Sequence, residues 1–377
     1  MTTVKVVIGA SHGDEGKGEA TDYFANQAFL SGKDCIVVLS NGGSQRGHTV
    51  TIPNGRRHVF RHFGSGTFAG AETYLPKQYI LNPMNFVLEA RELGFFPVCH
   101  VHPDCLVSTP FDMIANQIIE DARGDARHGS CGVGIWETIL RNGLSFKEMT
   151  ELFFADDDRA KFRAYLTYVR DYFLKRLSDK RITINSSWNN IINSNTLINN
   201  YIYDFMMMYS CLRVSDTLPV RSTVIFENGQ GLLLDQNIVG YGKNTTPSNT
   251  GLQNPAEMIR QIPGEKDVEV CYVSRTYTTR HGAGRFDTEY SKMSFHDATN
   301  QPHPYQGTLR FGVLDTQGMI DRCVKDFETY GDRDWKMSFM LTHTNEVSVN
   351  ERFFTGHNLY LSDSPTRESI TRLINGR

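Results

Sequence analysis

The chain begins with an apolar run that leads directly into a glycine-rich loop, Val4-Lys-Val-Val-Ile-Gly-Ala-Ser-His-Gly-Asp-Glu-Gly-Lys-Gly18. The apolar run predicts a first strand, and the residues from Glu19 onward are typical of a helix. Glycines let backbone amides approach a phosphate closely, the start of a helix favours an anion, and Lys17 adds a positive charge. The stretch therefore predicts a phosphate-binding loop between a strand and a helix, with a tight structural turn as the alternative.

This loop differs from the Walker A sequence, which has Ser or Thr directly after the lysine and a glycine where Ser11 stands here. Because Gly18 follows Lys17, the hydroxyl that binds magnesium in ordinary P-loops is absent. A metal ion beside the phosphates would need another ligand. Asp14, inside the loop, is the candidate.

Strand-like runs alternate with helical stretches along much of the chain. This pattern predicts an α/β fold with a large, mostly parallel central sheet covered by helices. Ligands of such sheets bind outside the carboxyl ends of the strands, so we expect the chemistry in the loops that follow them. We expect one domain over residues 1–377 with a helical insertion at about 145–213. The predicted strands are 4–8, 35–39, 223–227, 268–273 and 338–342.

Composition excludes several classes of protein. The sequence is 40% hydrophobic and 21% charged, with a net charge of −3, so no general attraction to nucleic acid or to an anionic membrane is expected. We see no basic leader with a cleavage site and no apolar stretch near the roughly 20 residues that a membrane helix needs. Seven scattered cysteines without CxxC spacing argue against a disulfide framework. We therefore expect a cytoplasmic protein.

A second polar loop, Asn41-Gly-Gly-Ser-Gln-Arg-Gly-His-Thr49, follows the second predicted strand. Alone, His48 could be a core histidine whose hydrogen bonds are satisfied. Combined with a phosphate loop that carries a carboxylate, His48 and Asp14 are predicted to form an acid/base pair.

One cluster suggests a metal site, because Cys99, His100, His102, Asp104 and Cys105 lie within seven residues. In an extended strand His100, His102 and Asp104 would share a face and could converge on zinc. The preferred interpretation is a strand end that turns at Pro103.

Together the two polar loops resemble adenylosuccinate synthetase, whose signatures are GDEGKG and GGHNAGHT. The likeness continues in the same order along the chain and is weakest at 145–215. It implies the family's P-loop-NTPase-like architecture. The further matches are 226–235 (FENGQGLLLD, like EGAQGTLLD), 246–249 (TPSN, like TSSN), 277–289 (YTTRHGAGRFDTE, like YTTRVGAGPFPTE), 312–315 (GVLD, like GWLD), 341–345 (LTHTN, like LTKLD) and 362–367 (SDSPTR, like STGPDR).

The resemblance implies a carbon–nitrogen ligase. A nucleoside triphosphate would phosphorylate the 6-oxygen of a purine nucleotide, and L-aspartate would then join that carbon. Asp14 would remove the N1 proton, and His48 would stabilise the transferring phosphoryl group. The resemblance also implies Mg²⁺, held partly by Asp14 and the Gly47 carbonyl.

The resemblance assigns binding residues as well. An arginine matching Arg141 reaches across a dimer interface in the family, which implies a homodimer. The triphosphate would contact Gly13, Glu15, Gly16, Lys17, Gly18, Thr49, His343, Asn345, Ser362 and Ser364. The purine monophosphate would contact Asp14, Gln45, Ser130, Cys131, Arg141, Gln230 and Thr246, and aspartate would contact Thr308 and Arg310.

The sequence departs from the family at the base of the triphosphate. The family reads guanine with the aspartate of LTKLD, whereas His343 and Asn345 stand here. A carboxamide offers one donor and one acceptor, which suits adenine. We therefore expect ATP or dATP as the phosphoryl donor, with GTP as the alternative.

Two further departures surround the substrates. The arginine-rich loop before GWLD has only Arg310 here, which could pair with a carboxylate, and the loss of its neighbours suggests tolerance of a deoxyribose. Gln45 replaces an asparagine, and Ser130 and Cys131 replace two threonines. Together the departures resemble the viral branch of the family, 2-aminoadenylosuccinate synthetase, which acts on dGMP.

Three functions stay open. The first is the viral dGMP ligase, in the host cytoplasm, and the second is an IMP- and GTP-dependent adenylosuccinate synthetase. The third is a non-catalytic nucleotide-binding module, which would not need to keep both Asp14 and His48.

Overall fold

The computed structural model describes residues 1–242, 244–297, 299–300, 302 and 305–374. The strands are β1 (Thr2–Gly9), β2 (Cys35–Leu39), β3 (Gly42–Gly43), β4 (His48–Thr51), β5 (Arg57–Phe60), β6 (Glu72–Leu75), β7 (Tyr79–Leu81), β8 (Cys99–Val101), β9 (Leu106–Val107), β10 (Leu212–Val214), β11 (Thr223–Gly231), β12 (Lys266–Arg275), β13 (Thr278–Arg280), β14 (Arg310–Gly312), β15 (Lys336–Thr342), β16 (Asn358–Leu361) and β17 (Thr371–Ile374). The α-helices are α1 (Lys17–Leu30), α2 (Pro83–Leu93), α3 (Pro110–Arg123), α4 (Ile135–Leu140), α5 (Phe146–Phe153), α6 (Ala160–Asp179), α7 (Ser186–Ile192), α8 (Asn195–Cys211), α9 (Gln253–Gln261) and α10 (Thr316–Tyr330).

A ten-stranded sheet organises the fold, in the order β10-β8-β6-β2-β11-β1-β12-β15-β16-β17. Each neighbouring pair is parallel except β16 and β17 at one edge. The large, mostly parallel sheet that the sequence predicts is thus confirmed. The five predicted strands correspond to β1, β2, β11, β12 and β15, which are five consecutive strands at its centre.

Both faces of the sheet are covered, as expected for a parallel sheet whose strands are apolar throughout. Along β1 the side chains alternate, so Val4, Val6 and Ile8 enter one hydrophobic core and Val7 enters the other. One core receives the buried faces of α1, α2, α3, α5, α6 and α8. The other core receives α9 and α10.

The predicted helical insertion consists of α5 to α8, which belong to the same core as α1. Aromatic side chains hold these helices together: the ring of Phe162 lies 5.1 Å from that of Phe205 and nearly parallel to Tyr201 at 6.2 Å. These helices occupy residues 146–153, 160–179, 186–192 and 195–211, and the division into one domain with a helical insertion stays a prediction. In the described part of the chain, no helix has the length and apolar character needed to cross a membrane.

The zinc hypothesis for the 99–105 cluster is wrong. His100 Nε2 lies 2.8 Å from the carboxylate of Glu72, and Cys105 Sγ lies 3.0 Å from the Tyr79 carbonyl. Among the described residues no group of three His, Cys, Asp or Glu side chains could hold a metal. The cluster is the end of β8 and the turn that follows it, as the preferred interpretation had it.

Candidate active site

The glycine-rich loop joins the carboxyl end of β1 to the first turn of α1. Gly13 and Gly16 have φ angles of +112° and +92°, which side chains rarely adopt. A Cβ on Gly13 would lie 2.8 Å from Cα of Gln230, so the loop packs backbone against backbone on the end of β11. A Cβ on Gly16 would lie 2.7 Å from Cγ2 of Thr342 at the end of β15. The glycines therefore let the loop sit between two central strands.

Gly13→Ala is expected to destabilise the protein and to impair nucleotide binding, because both the φ angle and the space exclude a methyl group. Gly32→Ala is the matched control, since Gly32 also has a positive φ of +67° but no heavy atom within 4 Å of its Cβ position. We expect Gly13→Ala to lower the free energy of unfolding by about 1–3 kcal/mol more than Gly32→Ala. Chemical denaturation measures both. Equal losses would contradict the close packing of the loop on β11.

Lys17 is buried beneath this loop, and its Nζ donates to the Gly13 carbonyl at 2.5 Å. Glu15 Oε2 lies 4.0 Å from the same ammonium group, while Oε1 accepts from the Ser11 amide at 2.5 Å. Burial raises the pKa of Glu15 to about 7, against the opposing effect of Lys17. Glu15 thus ties the loop together, and Lys17 supplies the cation beside the loop backbone.

Neighbouring side chains hold the backbone carbonyl of Asp14. The Asp14 carbonyl accepts from Arg275 Nε at 2.5 Å, and Thr279 Oγ1 lies 3.5 Å away. The Asp14 residue lines a cleft of about 740 Å³ at the carboxyl end of the sheet. The main chain is therefore fixed from β12 and β13, while the carboxylate is available to a bound molecule.

His48 reaches the same cleft from the start of β4. Its Nδ1 lies 2.6 Å from Glu227 Oε1, and Arg46 Nη2 lies 3.3 Å from Glu227 Oε2. The Ser65 hydroxyl and amide also donate to this carboxylate. All four side chains are almost fully buried.

Electrostatics determine the protonation of this group. Burial lowers the pKa of His48 to about 4, although Glu227 opposes the shift. Burial alone would raise the pKa of Glu227, but His48 and Arg46 lower it to about 2. At neutral pH the imidazole is therefore neutral, with Nδ1–H donated to an ionised Glu227. That bond leaves Nε2 as the acceptor.

Two glutamines contribute amides to the cleft. Neither side-chain amide atom of Gln45 has a hydrogen-bond partner, and neither does Oε1 of Gln230, although all three atoms are buried. Both side chains lie close to Gly42: a Cβ built on Gly42 would lie 2.9 Å from Gln45 Nε2 and 3.7 Å from Gln230 Oε1. Buried amides without partners are costly unless a ligand satisfies them. These two amides can read the polar edge of a bound heterocycle.

The cleft brings together most of the predicted purine-nucleotide residues and both predicted catalytic residues. It also contains residues that sequence reasoning missed. The predicted residues that line it are Gly13, Asp14, Gln45, Gly47, His48, Ser130, Cys131, Gln230 and Thr246. The additional ones include His12, Arg46, Asn116, Arg280, His281 and Gln306.

Arg141 does not line the cleft. Its Nε and Nη2 lie 2.6 and 2.8 Å from the two carboxylate oxygens of Asp112, and Nη1 donates to the Tyr165 hydroxyl at 2.6 Å. The side chain is 5% exposed. Its donors are used inside its own protomer, and the contact between Arg141 and a 5′-phosphate across a dimer interface stays a prediction.

Four predicted triphosphate contacts lie outside the cleft, past the ends of β15 and β16: His343, Asn345, Ser362 and Ser364. His343 Nδ1 is 3.1 Å from Glu346 Oε2, and Asn345 is exposed. Ser362 is buried with its hydroxyl donated to Glu19 at 2.5 Å. Exposed Ser364 follows it. The contacts of these residues with a triphosphate stay predictions.

Gly18 in the first turn of α1 lies against Thr49 of β4. A Cβ on Gly18 would lie 2.7 Å from the Thr49 carbonyl, so α1 and β4 meet closely there. The Thr49 hydroxyl is buried and has no partner. It is placed where it could donate to a ligand on the loop.

The two predicted aspartate contacts, Thr308 and Arg310, are not among the described residues that line the cleft, although the buried Arg310 Nε has no hydrogen-bond partner. Thr308 is exposed, and Arg310 Nη1 lies 2.8 Å from Glu289 while Nη2 donates to the Gly284 carbonyl at 2.9 Å. Residues 298, 301, 303 and 304 of the preceding loop lie outside the described residues. The predicted contacts of Thr308 and Arg310 with aspartate stay predictions.

The residues suit a magnesium ion that is shared with phosphates. Among the described residues, no group of three His, Cys, Asp or Glu side chains could bind a metal ion by itself. Asp14 supplies one carboxylate at the cleft beside the phosphate loop. Mg²⁺ typically binds one or two carboxylates, substrate phosphates and waters. Asp14 and the Gly47 carbonyl would hold it, and the ion would neutralise phosphate charge.

Glu227 is the main functional residue that sequence reasoning missed. It lies in the quoted 226–235 motif and at the carboxyl end of a predicted central strand. The signal available in the sequence was a carboxylate at the end of a strand predicted to be buried. His12 and Arg46 had no comparable signal, since each is one polar residue in a polar loop.

Comparisons with known proteins point to one family. Residues 6–318 match the family model described as adenylosuccinate synthetase. The chain is 29% identical to adenylosuccinate synthetase from Lactobacillus acidophilus over 298 residues, which cover 77% of this chain and 65% of the relative. It is also 29% identical to the enzyme from Bacteroides thetaiotaomicron, with 76% of this chain and 65% of the relative covered. The match thus spans about 65% of the length of these relatives.

Two solved structures share the fold. Fully ligated adenylosuccinate synthetase from Plasmodium falciparum has a TM-score of 0.64 at 16% identity, covering 98% of this chain and 87% of that chain. A cyanophage S-2L succinoaminodeoxyadenylate synthetase bound to dGMP and dATP has a TM-score of 0.61 at 15% identity, covering 98% and 95%. The match of the family model over most of the chain shows that this protein belongs to the adenylosuccinate synthetase family.

Proposed function

We propose that this protein condenses L-aspartate with the 6-carbon of dGMP, driven by ATP or dATP, to give 2-amino-2′-deoxyadenylosuccinate. The observation that carries the proposal is the convergence of Asp14, His48 and two glutamines on one cleft beside the phosphate loop. These groups match, in kind and position, the chemistry that an oxo-purine and a triphosphate require.

The reaction needs two steps, because an amine does not displace a 6-oxo group directly. Asp14 accepts the N1 proton, and the 6-oxygen attacks the γ-phosphorus as ADP or dADP leaves. The aspartate amine then attacks C6, and inorganic phosphate departs with the electrons of the C6–O bond. Mg²⁺, when bound, offsets phosphate charge.

His48 acts as a neutral group in this scheme. Glu227 holds Nδ1–H, so Nε2 faces the reacting groups in a defined tautomer. Nε2 can accept a proton from the attacking amine or share one with the departing phosphate. The buried Arg46 beside it adds positive charge where phosphoryl charge develops.

The glutamines support dGMP as the nucleotide. Guanine differs from hypoxanthine by a 2-amino group, which needs a nearby acceptor when it is buried. Gln45 Oε1 and Gln230 Oε1 are buried acceptors without partners in the described part of the chain. A purine with the additional donor therefore satisfies more of this cleft.

The second candidate is an IMP- and GTP-dependent adenylosuccinate synthetase, which the named bacterial relatives favour. Purified protein is incubated with aspartate, Mg²⁺, ATP or GTP, and either dGMP or IMP. Product mass and nucleoside diphosphate release are measured. Turnover of IMP without turnover of dGMP would overturn the first candidate. A triphosphatase unaffected by aspartate would indicate a nucleotide-binding module instead.

Asn345→Asp is expected to shift the preference of the enzyme from ATP toward GTP, because a carboxylate accepts both guanine N1–H and the 2-amino group. Hydrogen bonds to a charged group contribute about 1.5–3 kcal/mol, so the GTP/ATP ratio of kcat/KM should rise about tenfold or more. Asn350→Asp, another exposed asparagine beyond β15, is the control and should leave the ratio unchanged. A ratio unchanged in Asn345→Asp would show that this residue does not read the base.

A homodimer in the host cytoplasm belongs to the proposal because the resemblance implies it. Arg141 is bound by Asp112 and Tyr165 within its own protomer, so a contact across the dimer would require it to exchange these partners. Sedimentation velocity with and without nucleotide measures the oligomeric state.

A further inference from the structure

A second cavity, of about 220 Å³, opens at the amino end of the central sheet, opposite the end that carries the cleft. The first residues of β1 and β11 and the later turns of α1 line it, together with one residue each from β16 and β17. None of its lining residues lines the cleft. The cavity is therefore a separate feature of the fold, and the scheme above does not use it.

The alternation of side chains along the strands explains why this cavity is polar. Val7 of β1 belongs to the hydrophobic core that α1 covers, and Lys5 and Thr3 lie on the same face, two and four residues earlier. In β11, Thr223 precedes the core residue Ile225 in the same way. The core beneath α1 thus ends in polar side chains at the amino end of the sheet.

Three cations, Lys5, Lys33 and Arg372, line the cavity, and two of them lie on aromatic rings. Lys5 Nζ is 5.3 Å from the centre of the Phe24 ring, and Arg372 Cζ is 5.7 Å from that of Tyr360. These rings are 4% and 2% exposed and meet at right angles, with their centres 5.6 Å apart. Because the rings are buried under the cations, the cavity offers positive charge to a ligand rather than a ring face for stacking.

One of the three cations is neutralised inside the protein. Lys5 Nζ lies 2.5 Å from Glu269 Oε2, and the Tyr360 hydroxyl donates to the other oxygen of this carboxylate at 2.9 Å. The Glu269 side chain is 6% exposed. Lys5 and Glu269 therefore form a closed pair that leaves the charge of the cavity to the other two cations.

Lys33 and Arg372 form no ion pair within the part of the chain that the structure describes. The Lys33 ammonium group donates to Thr3 Oγ1 at 3.3 Å, which is a neutral acceptor. Asp267 interacts electrostatically with Lys33, but its carboxylate is paired with Lys336 at 2.6 Å. Two cations that share a small cavity without a counter-charge favour the binding of an anion.

We infer that this cavity binds a phosphate group, as the free ion or as a phosphate monoester, through Lys33 and Arg372. At neutral pH a phosphate monoester carries about −1.5 to −2 charges, which matches two unpaired cations. The cavity is smaller than the ~300 Å³ at which sites for drug-sized molecules begin, so it suits a small anion.

The two cations have complementary roles in this site. The planar guanidinium of Arg372 would bind two phosphate oxygens, and Lys33 would act as a point charge. The hydroxyls of Thr3 and Tyr23, which also line the cavity, are neutral donors for the remaining oxygens. The site lies outside the cleft and does not depend on the proposed function.

The test is calorimetric titration of the full chain at low ionic strength, with inorganic phosphate in one arm and dAMP in the other. Lys33→Gln and Arg372→Gln should each weaken phosphate binding about fivefold, the contribution of an exposed ion pair, and the double variant should weaken it further. Phosphate bound in the cleft is the same in all variants, since both residues lie outside it. Tighter binding of phosphate than of dAMP identifies the free ion as the ligand, and the reverse order identifies a monoester. Identical titrations of the parent and the double variant overturn the site.

Thermal unfolding separates binding from a structural role of the cations. Without phosphate, neither variant should unfold at a lower temperature than the parent, because each substitution removes one of two like charges. Phosphate should raise the unfolding temperature of the parent more than that of the variants. Variants that are less stable without phosphate and bind it as the parent does would show that the cations only support the fold.

Lys325→Gln is the matched control, since Lys325 is an exposed lysine of α10, on the other face of the sheet. It removes one positive charge outside the cavity and should leave both the phosphate affinity and the unfolding temperature unchanged. If it weakens phosphate binding as much as Lys33→Gln, the anion responds to the overall charge of the protein, and the site is overturned.

Discussion

Replacement of Asp14 by alanine is expected to lower kcat by about 100-fold to 10,000-fold, the usual contribution of a positioned general base. Without the carboxylate, the N1 proton of the purine has no acceptor, and the 6-oxygen stays a poor nucleophile. The fold should persist, because neighbouring residues hold Asp14 by its backbone carbonyl, which alanine retains. Ligase turnover and thermal unfolding measure the two effects separately.

Two further variants make this prediction specific. Asp14→Asn keeps the shape of the side chain but not its basicity, and it should lose as much activity as the alanine variant. Asp104→Ala removes an exposed carboxylate outside the cleft, and its kcat should stay within about twofold of the parent. Near-normal turnover by Asp14→Asn would mean that another group accepts the proton, and the role of Asp14 would be lost.

The centre of the fold could be predicted from sequence because its strands are long, apolar and buried on both faces. β1, β11 and β12 have eight, nine and ten residues, and each contains a continuous apolar or β-branched run. The outer strands β6, β8 and β10 have three or four residues. Segments that short carry little periodicity, and only their non-local pairing makes them strands.

The candidate site, like the fold, could be predicted only in part. Asp14 and His48 were predicted from the loops that follow two predicted strands, and such loops meet at one edge of a parallel sheet. Gln45 and Gln230 were predicted from the resemblance to the family, and all four residues line one cleft. The surroundings of Arg141 were not predicted, for a different reason. Its partners Asp112 and Tyr165 lie on α3 and α6, and nothing in the local sequence indicates that these helices converge on it.

The role of Glu227 depends on strand order, which the sequence does not display. β11 lies beside β2 with Glu227 opposite Leu39, so the carboxylate reaches the loop that follows β2. His48 then meets Glu227 across 179 residues of sequence. A carboxylate at the end of a strand is thereby the residue that holds the His48 imidazole.

Glu227→Gln is accordingly expected to lower kcat by about 1,000-fold or more while changing the KM for each substrate only a few-fold. A neutral amide can present its NH₂ group to His48, which would favour the tautomer with the proton on Nε2, and a comparable change in a catalytic triad costs about 10⁴ in kcat. Arg46 would also lose its counter-charge. Ser65→Ala, which removes one donor to Glu227 but keeps its charge, is the matched control and should change kcat only a few-fold.

The pH dependence distinguishes a misplaced imidazole from a protonated one. Removing the carboxylate takes away the attraction that opposes the lowering of the His48 pKa, so this pKa should fall below its value of about 4 in the parent. His48 is then neutral in both proteins between pH 6 and pH 8, and the loss of kcat should be constant over that range. A loss of kcat that disappears toward pH 6 or toward pH 8 would show that Glu227 controls the protonation of His48 rather than its orientation.

The loss of kcat should not depend on pH between pH 6 and pH 8, whereas the free energy of unfolding should depend strongly on pH in the acid range. The pKa of Glu227 is lowered to about 2 in the folded protein, so its ionised form stabilises the fold above the ordinary carboxyl pKa of about 4.5. This stabilisation is lost as the pH falls toward 2. The parent should therefore exceed Glu227→Gln in free energy of unfolding at pH 7 by about 1–3 kcal/mol, and the difference should shrink below pH 4.5. A difference that is the same at pH 7 and pH 3 would mean that the charge of Glu227 does not stabilise the group around His48.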